Sequence, residues 1–222
     1  MKACKIFFTL ILIVSSNLLF GQTINPFIDD YRFYESVHSN KANDYQDVDG
    51  SPYLNKEFVE GVCSLKDTSE VKLPVRYNIY SDAMEYRYKD STYAVGKPEL
   101  LDKIIIGESV FVFLPFIEKG GYFEIFESGK CILAQKRVIK YKEAEAAKPI
   151  EGISKPARFI SEPDVFYLVL NQSNAVRISN MKSVVSALQD QKPKIESYIE
   201  QEKIKNTKKE NLIKIVKYYN SL

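Results

Sequence analysis

The strongest pattern along the chain is alternation. Val71, Leu73, Val75, Tyr77 and Ile79 interleave with Lys72, Pro74, Arg76, Asn78 and Tyr80. A period of two sends one side of a strand into a core and the other into water. Ser81-Asp82 can reverse the chain, and Met84, Tyr86 and Tyr88 then alternate with Glu85, Arg87 and Lys89, so the two segments read as a hairpin. Pro74 lacks the N–H a ladder needs, which places its end of the strand at an edge or a bulge. Further strands are expected at 61–65, 103–106, 110–114, 122–126 and 131–141, linked by Gly107, Lys119-Gly120-Gly121 and Ser128-Gly129-Lys130. Links this short cannot make parallel crossovers. The expectation is an antiparallel β-meander, curved into a half-barrel or a sandwich.

After a break at 142–156, rich in charge, Pro and Gly, two more strands are expected at 157–160 and 165–170, and a last one at 175–178. The pattern then changes period. Val184, Val185 and Leu188 suggest a short helix capped by Ser179 or Asn180. Ile195, Tyr198 and Ile199 follow Pro193 at a first helical position. Leu212, Ile215, Val216 and Tyr219 line one stripe behind Thr207-Lys-Lys-Glu210, which has capping-box spacing. The class is therefore α+β, with about three C-terminal helices.

The first 22 residues are set apart. Lys2 and Lys5 precede an apolar run from Ile6 to Phe20 that ends at Gly21-Gln22, the layout of a secretory signal peptide. The run is too short and too interrupted to span a bilayer well, which takes about 20 apolar residues. The expected organisation is a signal peptide at 1–22, an arm at 23–50, a β-domain at 51–147, and a hairpin with packed helices at 148–222.

Charge changes the picture little. Removing the signal and its two lysines leaves 29 basic and 29 acidic residues, so total charge gives no reason to expect nucleic acid. The arm is acidic and residues 182–222 are lysine-rich. Lys203, Lys205, Lys208 and Lys209 could touch an anionic membrane surface, although a helix connection facing water is the simpler account. Cys63 and Cys131 are the two cysteines outside the signal, and an exported chain permits a disulfide between them or two buried thiols.

Catalytic chemistry has few places to sit. The single histidine, His38, lies in the polar arm. Two cysteines about seventy residues apart and one histidine make no zinc motif, and no Gly-rich phosphate loop precedes a helix. No cofactor is expected. Asp82, Glu85 and Arg76 gather around the first hairpin, where cross-strand ion pairs are ordinary stabilisers. Tyr and Phe are abundant and Trp is absent, which favours strand packing over sugar stacking.

The ending Leu-Leu-Phe-Gly-Gln is similar to signal peptides common in the Bacteroidetes. The strings GSPYLNKEF (50–58), LPVRYNIYSDAMEYR (73–87), GGYFEIF (120–126), KPARFI (155–160) and LIKIVKYYNSL (212–222) resemble an uncharacterised family of exported proteins from that group. The likeness covers essentially the whole mature chain. It implies export and no known activity. The helical tail does not resemble the β-sandwich sorting domains used for surface secretion, which favours retention in the periplasm.

The leading expectation is thus a non-enzymatic binding or structural protein of the cell envelope. Its partner would be an envelope protein or a hydrophobic small molecule. A hydrophobic ligand would lie on a concave sheet face lined by Val75, Tyr77, Met84, Tyr86, Phe111 and Phe113. The alternative is a protein-interaction module that docks through its arm or a sheet edge. A hydrolase built on carboxylates alone ranks last.

Overall fold

The computed structural model describes residues 34–36, 45, 48–67, 69–88, 91–146, 154–171 and 174–222. The signal segment, most of the arm and His38 lie outside them. The strands, in chain order, are β1 (Tyr34–Ser36), β2 (Val59–Leu65), β3 (Glu70–Asn78), β4 (Ala83–Tyr88), β5 (Ser91–Val95), β6 (Leu101–Ile106), β7 (Ser109–Phe113), β8 (Tyr122–Glu127), β9 (Cys131–Lys136), β10 (Ile139–Lys142), β11 (Arg158–Ser161), β12 (Val165–Leu170) and β13 (Asn174–Ile178). Three helices follow: α1 (Met181–Ala187), α2 (Lys192–Gln201) and α3 (Lys209–Ser221).

Eleven strands form one open antiparallel sheet in the order β1-β5-β4-β3-β2-β6-β7-β8-β9-β12-β13, and β10 and β11 pair separately. The hairpin beyond residue 148 therefore belongs to the same sheet as the meander, through β12 on β9. Pro74 sits where pairing between β3 and β4 stops, since that ladder begins at Val75↔Tyr86. The expected strand over 131–141 is two strands, because the chain leaves β9 at Arg137-Val138 to pair with β11. Two short strands, β1 and β5, carry no strong period in the sequence.

The sheet is strongly curled. β3 and β7 are three ladder positions apart, roughly 14 Å in a flat sheet. Yet the rings of Tyr77 and Phe111 lie 5.3 Å apart. The β3–β4 turn reaches further still, to β9, where Lys136 Nζ meets Asp82 Oδ2 at 2.5 Å.

One face carries two apolar clusters, with buried Glu124 and Gln135 on the same face between them. At the β3 end it holds Leu73, Val75, Tyr77, Met84, Tyr86, Ile104 and Phe111. At the β9–β12 end it holds Cys131, Leu133 and Leu168, covered by the helices through Val184, Leu188, Ile195, Leu212, Ile215 and Val216. The expected stripe of α3 is thus its buried face. The other face holds a third cluster of Leu114, Ile117, Phe123, Ala134, Tyr167 and Val169.

The helix starts follow local chemistry. Asn180 caps α1, accepting from Ser183 N while Ser183 Oγ takes the Asn180 N–H in return. Pro193 falls in the first turn of α2 as expected. The Thr207–Glu210 capping box does not form: α3 starts at Lys209, and Asn206 Oδ1 takes the Lys208 N–H instead.

Cys63 and Cys131 are both free and fully buried. They sit in different core clusters on β2 and β9, four ladder positions apart. The disulfide that the even cysteine count permitted does not form. Burial instead pushes each thiol up to about 12.

Candidate functional site

The six residues expected to line a ligand-holding concave face lie together, but as core. Val75, Tyr77, Met84, Tyr86 and Phe111 are each 1% exposed, and Phe113 packs against them half-buried. Tyr77 contacts Phe111 and Tyr122 edge-on or tilted, and Tyr86 stacks on Tyr93 at 5.5 Å. Their alternation comes from packing: curling brings the inner face onto itself, and these rings fill it.

The acids near the hairpin divide in two directions. Arg76 and Glu85 face each other in register, with guanidinium Nε and Nη2 donating to Glu85 Oε2 at 3.1 and 2.6 Å. The same guanidinium lies between the rings of Tyr53 and Phe58, 3.7 and 4.3 Å from their centroids. Asp82 points elsewhere. Its Oδ1 accepts from the Tyr77 hydroxyl at 2.6 Å and from Tyr122 N at 3.3 Å, while Oδ2 accepts from Lys136. A third pair joins Glu124 to Arg137, with Ser109 Oγ donating to Glu124 Oε1 at 2.6 Å. Each acid is held by a cation and a hydroxyl or amide, the arrangement of structural cross-links. Among the described residues, no group of three or more His, Cys, Asp or Glu could hold a metal ion.

The surface offers more. β13 is the terminal strand and pairs with β12 alone, from Phe166↔Ile178 to Leu170↔Asn174. Among the described residues, Asn174–Ile178 makes no backbone hydrogen bond on the side away from β12. Asn174 and Arg177 are exposed, and Ala175, Val176 and Ile178 are half-buried. At the opposite end the terminal strand is the three-residue β1 from the arm, which pairs with β5 alone.

At the end of β13 the chain forms an open cleft of about 420 Å³, lined by Pro163, Asp164, Val165, Arg177, Ile178 and Ser179. It exists because two segments diverge at the open end of the β12–β13 hairpin. Residues 162–164 arrive from β11, held by Glu162 N on Val138 O at 2.9 Å, and Ser179 turns away towards α1. Proline at 163 offers no donor to close the gap. Asp164 and Arg177 are both exposed, and neither forms an ion pair with a described residue. Inboard of Arg177, Tyr167 donates to Glu118 at 2.6 Å. Burial first, and that bond second, push its hydroxyl up to about 12.

An unclaimed strand edge beside a mixed-charge cleft can accept an extended polypeptide. Main-chain bonds would supply affinity, and alternate side chains would meet the cleft and the sheet faces. The signal in the sequence is only positional: 175–178 is the last strand text before the helical pattern begins. A smaller apolar groove of about 220 Å³ crosses the other face, lined by Val110, Val112, Leu114, Ile125 and Ile132 with Asp102, Lys103 and Ser128. No family model, curated protein or solved structure matches the chain.

Proposed function

We propose that this is an exported, non-enzymatic envelope protein that captures an extended segment of a partner protein along β13. The carrying observation is the coincidence of the unclaimed β13 edge with the cleft at its end. The filled inner face supports this over a carrier of hydrophobic ligands, since a ligand there would have to displace side chains that are 1% exposed. A photo-crosslinking residue placed at Asn174 or Arg177 in cells tests it, against the same residue at exposed Lys66 on the far side of the meander. Adducts of one mass from 174 and 177, absent at 66, are expected. The adducted partner's segment, made as a peptide, should then slow amide exchange in 174–178. Equal adducts at all three sites, or no protection by the peptide, would refute strand capture.

One observation favours a second reading. The apolar groove at Val110, Val112 and Ile125 could seat a hydrophobic small molecule outside the core. Native mass spectrometry of the envelope-purified protein before and after organic extraction checks this, and an unchanged mass would dismiss it.

A further inference from the structure

Nine lysines and no arginine follow Arg177. Four of them, Lys203, Lys205, Lys208 and Lys209, gather where α2 gives way to α3. All four are exposed, and none forms an ion pair with a described residue. The neighbouring acids do little to offset them. Glu202 faces Lys214 at 3.9 Å, and Glu200 and Glu210 are exposed and unpaired among the described residues.

The connection is braced rather than loose. Ile204 is buried and its N–H bonds Ile199 O at 2.9 Å. Asn206 Oδ1 accepts from Lys208 N at 3.1 Å and from Asn211 Nδ2 at 2.9 Å. Lys209 Nζ rests 5.0 Å from the centre of the Phe126 ring. Lysines at 208 and 209 also stand at the amino end of α3, where the helix dipole favours anions over cations. That placement costs some stability, so helix formation does not explain it.

We propose that this loop docks the protein on a bilayer leaflet carrying anionic phospholipid. The choice of cation supports a flat array of phosphates. Lysine is a compact point charge, without the planar fork that arginine uses for bidentate recognition of a single phosphate. No aromatic residue interleaves with the four lysines in the sequence. The Phe126 ring beside Lys209 is half-buried and already faced by that ammonium, which leaves bases and sugars no row of rings to stack on. The exposed ammonium groups instead suit a surface held by Coulomb attraction. This inference stands independently of strand capture at β13.

The test is sedimentation of the envelope-purified protein with phosphatidylcholine vesicles, with and without phosphatidylglycerol. Each lysine near an anionic surface contributes about five-fold in partitioning, so Lys208→Gln with Lys209→Gln should weaken binding about 30-fold. Binding should also need phosphatidylglycerol and vanish in high salt. Lys66→Gln with Lys72→Gln, exposed on the meander, should change nothing. If the first variant loses its far-UV circular dichroism, Lys203→Gln with Lys205→Gln replaces it with the same expectation. Equal binding to neutral vesicles, unchanged partitioning in the variants, or binding of a soluble acidic polysaccharide in place of vesicles would overturn the proposal.

Discussion

Replacing Asp82 by glycine separates two roles that usually point the same way. Asp82 sits at φ +53° in the β3–β4 turn, a conformation that glycine adopts without steric cost. If the residue only turned the chain, Asp82→Gly would be neutral or stabilising by up to about 1 kcal/mol. The structure argues for the opposite sign. The carboxylate holds the hydroxyl of Tyr77, a residue only 1% exposed, and the half-buried ammonium of Lys136. Leaving a buried hydroxyl without a partner costs about 1–3 kcal/mol, and losing a partly shielded ion pair adds about 1 kcal/mol. Relief of the turn is offset by the extra freedom glycine gives the unfolded chain, about 0.5–1 kcal/mol. The expected net loss is about 3 kcal/mol. Urea unfolding followed by far-UV circular dichroism measures it, and Asp82→Asn, which keeps an acceptor and tolerates the same φ, should lose less. An Asp82→Gly protein as stable as the parent would refute the view that this turn fastens the curled sheet to β8 and β9.

Asn220 bonds both backbone groups of Cys131, accepting from its N at 2.8 Å and donating to its O at 2.9 Å. Asn220→Ala should therefore cost about 2 kcal/mol and appear as a lower thermal midpoint. Gly129→Ala should do similar harm, because its Cβ would come within 2.8 Å of the Asn220 side chain. Burial raises both thiols from an ordinary value near 9 to about 12. Their contribution is complete below pH 9 and lost as pH climbs towards 12, at about 1.4 kcal/mol each by pH 10. A Cys63→Ala/Cys131→Ala protein should start less stable but lose less stability than the parent between pH 8 and 10 in urea titrations. Arg76→Lys keeps the charge but gives up the two-point contact with Glu85 and the stacking between Tyr53 and Phe58. A loss of about 1–2 kcal/mol in the same titration is expected, and none would mean the pair is solvated.

Local rules, legible in the sequence alone, determined most of the elements, though not β1, β5 or the break between β9 and β10. Alternation at 71–78 and 84–88 set which side chains face the core and put Arg76 and Glu85 on the same polar face. A turn on Ser81-Asp82 alone would have set Arg76 against Arg87, and only the wider turn over 79–82 opposes it to Glu85. The 3.6-residue stripe of Leu212, Ile215, Val216 and Tyr219 set the buried face of α3. Short glycine links excluded parallel strands. What those rules cannot carry is distance between elements far apart in the chain. Only the curl of the sheet decided that Val75, Tyr77, Met84, Tyr86 and Phe111 meet as a filled core, since alternation reads the same for a core and for a ligand face. Only strand order decided that Cys63 and Cys131 stay apart and that, among the described residues, β13 pairs with β12 alone. A strand's own residues report burial on its two faces; whether another strand lies alongside depends on backbone groups that every residue shares.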